Sequence, residues 1–396
     1  MKMFNKRVIA LLLTVITVIF VASCTKPVTP ISEGITLTEY STPLEFHTSA
    51  QAEYIYGERP LFLDISIDGK AEKSRPEAIT LTWENSKTCE YYSVYLSENA
   101  DMSGAEEYAT KGESVSLYNL KAATKYYWKV KEALKDGKES AVGSFTTAEG
   151  PRNLYIDGIT NVRDVGGWKT QSGNRVKQGL LFRGGRLNES YPDGWVKGGD
   201  DTGYKVNPEI TADGIEAFKK LGIKTEIDLR EKGQNGYPGT TDEVTYSMVD
   251  GVNYIAIPMD GGADVEVSKE QIKAFFTVLA DRNNYPMYYH CNIGTDRTGM
   301  VTYLLNALLG VSDHDLYIDY MFSNFGVIAL PSKQVSNPAR KELFDLTTYN
   351  KSKKKGGAAY RVALCDGDTL AKQAENCLLD CGVTAEQIAA IKAIML

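Results

Sequence analysis

The segment 289–299 constrains the fold of this 396-residue chain more than any other part of the sequence. In it, Cys291 and Arg297 stand six positions apart with Gly294 between them, and apolar runs lie on both sides. This order predicts a buried strand, a tight loop and a helix that begins near Arg297. Such a loop turns successive backbone N–H groups toward one point, and the helix N-terminus adds partial positive charge there. The segment therefore predicts an anion-binding cradle between a strand and a helix.

The side chains of this loop predict chemistry as well as binding. Arg297 can hold two oxygens of a bound phosphate at once. The same positive field stabilises a thiolate, so we expect Cys291 to have a lowered pKa and to act as a nucleophile. We expect His290 to hold the loop or to hydrogen-bond near Cys291. Metal binding is not expected, because the other histidines, His47 and His314, lack metal-ligand spacing.

The first 24 residues predict an export signal rather than part of a fold. Positive charges at Lys2, Lys6 and Arg7 precede a short apolar stretch, residues 8–21, which is too short for a stable membrane span. The sequence Val-Ala-Ser-Cys that ends at Cys24 resembles a bacterial lipobox, which implies lipid attachment at that cysteine. A plain secretory signal is the alternative. We expect an exported protein, lipid-anchored to a bacterial membrane on the periplasmic or cell-surface side.

The net charge and the cysteine positions bear on two questions, whether the protein binds nucleic acid and whether it forms disulfide bonds. The formal net charge of −7 gives no support for a nucleic-acid partner. Cys377 and Cys381 are four positions apart in a helical stretch, so they share a face but are poorly placed to form a bridge. We expect both to be core residues, and pairing of Cys365 with one of them stays open.

The pattern along the chain predicts a tether followed by two folded domains. Residues 25–50 are rich in Thr, Pro and Ser, which suits a tether. Residues 51–149 carry short alternating runs that predict an antiparallel β-sandwich. Trp83 and the run 120–126, which ends in Tyr126, resemble a fibronectin type III module, although Ala122 stands where such modules usually have proline. The resemblance implies that Trp83 and Tyr126 lie in the core.

From about residue 151 to residue 396 the pattern changes to alternating strands and helices. This alternation predicts an α/β domain with a central, largely parallel sheet flanked by helices. The predicted strands include 224–229, 254–258 and 287–289, and the predicted helices include 211–221, 268–282 and 298–309.

Three further motifs precede the cysteine loop. They are residues 161–167 (NVRDVGG), 181–187 (LFRGGRL) and 222–230 (GIKTEIDLR). Together with the loop, they resemble the bacterial tyrosine-protein phosphatase family over residues 152–396. The resemblance implies a phosphatase-like α/β fold and a cysteine-dependent phosphomonoester hydrolase that forms a cysteinyl-phosphate, most simply a protein tyrosine phosphatase. It implies no metal or organic cofactor.

The resemblance also assigns roles within the loop. The substrate phosphate would be bound by Asn292, Ile293, Gly294, Thr295, Asp296 and Arg297. The hydroxyl of Thr298 would hydrogen-bond Cys291 and ease its departure as a leaving group. Asp296 would serve in acid–base chemistry or orient Arg297, and we favour the second role.

A general acid is expected on a separate loop. Asp260 follows a predicted strand, precedes Gly261 and Gly262, and lies thirty-one residues before Cys291. That position resembles the general acid of dual-specificity phosphatases, and Asp264 is the alternative.

Charged residues in the upstream motifs are predicted mainly to form structural ion pairs, because charges beside buried strands survive only when paired. These residues are Arg163, Asp164, Asp228 and Arg230. Arg183 and Arg186 flank two glycines, so they are the candidates for a closer approach to a bound phosphate.

One departure from the family pattern bears on the substrate. Family members tied to phosphoinositides tend to carry lysine where this chain has Thr295. The missing cation favours a phosphorylated protein or a small phosphomonoester as the substrate. A phosphoinositide phosphatase and a phosphate-binding module without turnover remain the alternatives.

Overall fold

The computed structural model describes residues 34–57, 72–87, 89–188, 210–232, 244–259, 262–326, 349–350 and 355–396. The predicted export signal with Cys24 and the predicted general acid Asp260 lie outside these residues. Within the described ranges, no helix is both long and apolar enough to cross a membrane.

The N-terminal half of the chain forms two antiparallel sheets. One has the order β1-β2-β5 and the other the order β4-β3-β6-β7. Their strands are β1 Ile35–Leu37, β2 Ile79–Asn85, β3 Tyr91–Ser97, β4 Glu106–Lys111, β5 Ser114–Leu117, β6 Lys125–Glu132 and β7 Gly143–Thr146. Buried residues from these strands, except the edge strand β4, form one shared core, which contains Trp83 and Tyr126 as predicted. The hydroxyl of Tyr126 accepts the backbone N–H of Lys121 at 2.9 Å.

The described part of the predicted tether, from Gly34 onward, belongs to this folded half instead. β1 pairs with β2, and Leu44 pairs with Thr147 beside β7. Helix α1, Ser49–Tyr56, follows directly and begins at a capping box formed by Thr48 and Gln51. A three-residue strand is too short to show a recognisable alternation of apolar and polar residues. The composition, rich in Thr and Ser, therefore predicted a tether.

The C-terminal half is built on a five-stranded sheet of order β11-β10-β12-β9-β8. The strands are β8 Arg163–Asp164, β9 Leu181–Gly184, β10 Thr225–Asp228, β11 Asn253–Ala256 and β12 Met287–His290. Adjacent strands are parallel except for the edge pair β8 and β9, as the alternation of strands and helices predicted. A short two-stranded ladder, β13 Tyr349–Asn350 with β14 Lys355–Gly356, lies apart from this sheet.

The described C-terminal half also contains seven α-helices. They are α2 Ala212–Lys220, α3 Lys269–Leu279, α4 Asp296–Leu308, α5 Asp313–Phe322, α6 Ala358–Ala363, α7 Leu370–Asp380 and α8 Ala385–Met395. Helices α2, α3 and α4 match the three predicted ones. Helix α4 is buried along nearly its whole length, so it forms the centre of the larger core. Cys377 and Cys381 lie in this core, as expected, and the described cysteines, Cys365 included, are free thiols.

Candidate active site

The cysteine loop lies at the carboxyl edge of the parallel sheet. Cys291 follows the last residue of the central strand β12, and α4 begins five residues later at Asp296. The neighbouring strands β9 and β10 end on either side of it, because His290 pairs with Gly184 and with Asp228. The sheet therefore brings the ends of three of the sequence motifs to one place.

Gly294 lets the loop approach β9 closely. Its φ is +70°, a conformation that residues with side chains rarely adopt. A Cβ at this position would lie 2.3 Å from the backbone of Gly184. Both constraints explain a glycine in the middle of the loop.

Donors from other elements hold the backbone carbonyls of the loop. The Asn161 side-chain amide donates to the carbonyls of Ile293 and Gly294 at 3.2 and 3.0 Å. Arg183 Nη2 donates to the same Gly294 carbonyl at 2.8 Å. In a trans peptide the C=O and N–H point in opposite directions. The N–H groups of Gly294 and Thr295 therefore point away from these donors, which is the arrangement that an anion cradle needs.

Arg186 holds the beginning of the loop in the same way. Its backbone N–H donates to the Asn292 carbonyl at 3.1 Å, and its Nη1 donates to Asn292 Oδ1 at 2.9 Å. Arg183 and Arg186 are the predicted candidates for a closer approach to a phosphate, and in the structure both donate to carbonyls of the loop. These hydrogen bonds hold the shape of the loop, and Asp319 fixes the Arg183 guanidinium in addition.

Buried ion pairs connect these donors to the rest of the domain. Asp319 of α5 accepts from Arg163 Nε at 2.7 Å and from Arg183 Nη1 at 2.7 Å, and both arginine side chains are 0% exposed. Asp164 pairs with Arg152 at 2.7 Å, and Asp228 pairs with Arg230 at 2.6 Å. The ion pairs expected for the motif residues are thus confirmed.

Sequence reasoning did not find the partners Asp319 and Arg152. For Asp319 a signal existed, because it is a charged residue within the otherwise apolar face of a buried helix.

His290, the last residue of β12, hydrogen-bonds the backbone at the start of the loop, as its position predicted. Its Nδ1 lies 2.8 Å from the Cys291 carbonyl oxygen, and its Nε2 lies 2.9 Å from Glu226 Oε1. Burial lowers the pKa of His290, but the negative charges of Asp228 and Glu226 outweigh it, so the net pKa is raised. In the protonated form the imidazole donates at both nitrogens, to the Cys291 carbonyl and to Glu226.

The surroundings of Cys291 favour a thiolate. The side chain is only 3% exposed, and burial by itself would raise the pKa of the thiol. The positive charge of Arg297, together with the adjacent Thr298, outweighs that effect, so the pKa of Cys291 lies below its ordinary value. Arg297 Nη1 also donates to the Leu229 carbonyl at 3.4 Å, which directs the guanidinium along the end of β10.

The described carboxylates near the loop are engaged in hydrogen bonds. Asp296 Oδ1 accepts the Tyr320 hydroxyl at 3.1 Å. Asp264 is 1% exposed, and its Oδ1 accepts the backbone N–H of Val267 at 3.1 Å just before α3. Over the described residues, no group of three or more His, Cys, Asp or Glu side chains is arranged to hold a metal ion.

Comparison with known proteins identifies a family for the C-terminal half of the chain, which contains this site. The sequence model of a family described as "Tyrosine phosphatase family" matches residues 154–197 and 206–396, which is more than half of the chain. A curated protein of Cupriavidus necator, named "Putative tyrosine-protein phosphatase H16_A0669", is 25% identical over 205 residues. That alignment covers 45% of this chain and 65% of the relative.

A solved structure was also matched. It is the core catalytic domain of the PP-IP phosphatase SIW14 from S. cerevisiae, in complex with citrate. The sequence identity is 14%, the TM-score is 0.26, and the match covers 42% of this chain and 85% of the solved one.

Proposed function

The chain belongs to the tyrosine phosphatase family, and on this premise we propose that it is a cysteine-dependent phosphomonoester hydrolase that dephosphorylates phosphotyrosine in proteins. The observation that carries the proposal is the position of Cys291. It stands at the start of a loop whose carbonyls are held on the outer side, next to Arg297, and its pKa is lowered. The family and the name of the Cupriavidus relative support phosphotyrosine as the substrate.

In the proposed first step, the Cys291 thiolate attacks phosphorus in line with the leaving oxygen. The S–P bond forms while the P–O bond to the substrate breaks. Arg297 and the loop N–H groups stabilise the equatorial oxygens. We assign Asp260 as the acid that protonates the leaving oxygen, on the basis of its position in the sequence.

In the second step, water attacks the cysteinyl-phosphate and gives its proton to the same carboxylate or to Asp296. The S–P bond breaks, inorganic phosphate leaves, and the Cys291 thiolate is restored. We assign the Thr298 hydroxyl to assist this departure, because a hydroxyl that donates to sulfur favours the thiolate.

Phosphate release by the purified protein in the presence of EDTA tests the proposal. Phosphotyrosine peptides, phosphoserine peptides and phosphoinositides are compared side by side, with Cys291→Ser as the control. We expect metal-independent release that is fastest from phosphotyrosine and absent in Cys291→Ser. Full activity in that variant would exclude the cysteine mechanism, a preference for phosphoinositides would change the substrate class, and no release from any substrate would favour a binding module.

The assignment of Asp260 has its own test. In Asp260→Asn the proton donor is lost, so turnover of substrates with poor leaving groups should fall most. An equal loss across aryl phosphates of increasing leaving-group pKa would argue against Asp260 as the acid. Asp264→Asn is the matched comparison, because Asp264 is the alternative.

We further propose that the protein is exported and attached to the membrane through a lipid on Cys24, and that the two-sheet half is a fibronectin type III-like module. The lipobox-like sequence supports the first statement, and the Tyr126–Lys121 hydrogen bond supports the second. Metabolic labelling with a fatty acid should mark the wild-type protein and not Cys24→Ala. Equal labelling would exclude this attachment site.

A further inference from the structure

The segment 72–75, which precedes the sandwich strand β2, contains a buried serine that is linked to the cysteine loop through one residue. Ser74, in the segment 72–75, is only 2% exposed, and its Oγ accepts the backbone N–H of Asn161 at 2.9 Å. The side chain of Asn161 is the one that holds the carbonyls of Ile293 and Gly294. A single residue thus separates Ser74 from the loop that we propose to bind phosphate.

Buried amides fix this segment in place. Gln51 of α1 donates from Nε2 to the carbonyls of Lys73 and Arg75 at 2.6 and 3.1 Å. Asn153 donates from Nδ2 to the Ser74 carbonyl at 2.8 Å and to Gln51 Oε1 at 3.1 Å. Gln51 is 0% exposed and Asn153 is 1% exposed. Buried polar networks of this kind hold their members rigidly, so the position of the Ser74 hydroxyl is well determined.

The same N-terminal region also contacts the helix that carries Asp319. The Tyr54 hydroxyl of α1 donates to the carbonyl of Ile318 at 3.2 Å. The Lys73 backbone N–H donates to the carbonyl of Phe325 at 2.8 Å, three residues after the end of α5. Helix α1 and the segment 72–75 therefore contact both Asn161, which holds the loop carbonyls, and α5, which carries Asp319, the partner of Arg183.

The backbone of Asn161 shows why a partner is needed there. Its φ is +60°, in the left-handed region, which asparagine tolerates better than most residues but still adopts at a cost. The residue is 1% exposed, so an unpaired N–H in this conformation would be unfavourable. The Ser74 hydroxyl supplies the acceptor for this backbone N–H. Together with Arg163, whose Nη1 donates to Asn161 Oδ1 at 2.6 Å, it fixes where the Asn161 side-chain amide lies.

We propose that Ser74 is a positioning residue of the active site, which acts on the cysteine loop through Asn161. Ser74 lies well before residue 154, where the match to the tyrosine phosphatase family begins. The N-terminal half of this chain would then be part of the catalytic unit rather than a spacer. The effect on turnover rests on the proposed function, but the effect on anion binding does not.

The substitution Ser74→Ala in the full chain tests the proposal. Ser74→Ala removes the acceptor of the Asn161 N–H and also the hydrogen bond that the Ser74 hydroxyl donates to Glu72. Loss of the neutral hydrogen bond to Asn161, which places the cradle, should lower kcat/KM by about two- to tenfold. In a Cys291→Ser background, where no turnover occurs, the affinity for tungstate measured by calorimetry should fall by a similar factor. Circular dichroism at the assay temperature verifies that each variant is folded.

A matched serine in the sandwich serves as the control. Ser97 is 5% exposed, donates to the Ser103 carbonyl at 2.8 Å and accepts the Asn99 N–H at 3.0 Å. Ser97→Ala removes a buried hydroxyl from the same half of the chain, so it should leave kcat/KM and tungstate affinity unchanged. An equal loss in both variants would show a general effect of destabilising the module and would overturn the proposal.

A double-mutant cycle shows whether Ser74 acts through Asn161. Asn161→Gly removes the amide while the glycine keeps the positive φ without strain. In that background Ser74→Ala should cause no further loss, and additive losses would overturn the proposed route.

If the wild-type protein released no phosphate from any substrate, only the proposed function would fail, and the positioning role of Ser74 would still be open to test. Tungstate affinity would then decide, with a weaker value in Ser74→Ala supporting the positioning role and an equal value overturning it.

Discussion

The buried carboxylate of Asp319 offers a sharp test of how the site is held together. It accepts from Arg163 and from Arg183 at 2.7 Å each, and all three side chains are at most 4% exposed. The substitution Asp319→Asn keeps the size of the side chain and removes its charge. The guanidinium groups of Arg163 and Arg183 then have only one neutral amide oxygen as their shared acceptor. The new NH₂ group is itself a donor, and it faces N–H donors of an arginine, so it cannot form a hydrogen bond there.

The expected loss of stability is large. Removing one partner of a buried ion pair costs about 3–5 kcal/mol, because the remaining charge is left uncompensated. Since two arginines depend on this carboxylate, we expect a loss in the upper part of that range. Folded domains are stable by only about 5–15 kcal/mol. Arg183 also donates to the carbonyl of Gly294, so the cysteine loop should lose oxyanion affinity as well.

The same pair predicts a dependence on pH. Burial raises the pKa of Asp319, but Arg163 and Arg183 outweigh this effect and the net pKa is lowered. A carboxyl group whose pKa is lower in the folded state contributes stability above its unfolded pKa of about 3.9. That stability is lost as the pH falls through the folded value. Acidification below about pH 4 should therefore reduce the stability difference between the wild-type protein and Asp319→Asn.

Urea unfolding followed by far-UV circular dichroism measures the effect, with the slope of the transition checked for each variant. Asp313→Asn is the matched control, because Asp313 is an exposed residue in the first turn of the same helix. It should lose only about 0.3–1 kcal/mol, the value of a charge at a helix N-terminus. If Asp319→Asn lost no more than this control, the argument that the carboxylate holds both arginines would be refuted.

Three further predictions concern the loop and the sandwich. Gly294→Ala should abolish tungstate binding and turnover, because of the positive φ and a Cβ 2.3 Å from the backbone of β9; retained activity would contradict this account. The alkylation rate of Cys291 by iodoacetamide should show a midpoint below the free-cysteine pKa of about 8.5 and shift upward in Arg297→Met; identical profiles would exclude Arg297 as the source of the shift. Tyr126→Phe should cost roughly 0.5–1.5 kcal/mol in urea unfolding, since one buried acceptor is lost, and no change would contradict that role.

The parts of the site that depend on contiguous residues were predictable from the sequence. The strand, loop and helix around Cys291 follow from local periodicity, and β12 and α4 lie where the pattern placed them. The order of strands in the sheet was not predictable in the same way. β12 lies between β9 and β10, which are distant in sequence, and periodicity carries no information about such pairing.

The two arginines of the second upstream motif show where local reasoning fails. Their spacing around two glycines suggested an approach to phosphate. In the sheet, Arg183 pairs with Tyr289 and Gly184 pairs with His290, so the arginine lies opposite a residue two positions before Cys291. From there it reaches a loop carbonyl and Asp319, which is 136 residues away in the chain. The contacts of Arg183 with the loop thus follow from the register between the parallel strands β9 and β12, which local sequence does not reveal.

The carbonyls of the loop explain why the upstream motifs matter together with the Cys-x5-Arg spacing. A loop without regular structure cannot pair its own buried backbone groups, and each unpaired carbonyl is unfavourable. Here Asn161, Arg183 and Arg186 supply the missing donors, and they come from two motifs that precede the loop by more than 100 residues. A chain with the same spacing but without such donors would leave these carbonyls to water, and the loop could relax away from a cradle. The donors in residues 161–167 and 181–187 therefore distinguish an anion site from a chance spacing of cysteine and arginine.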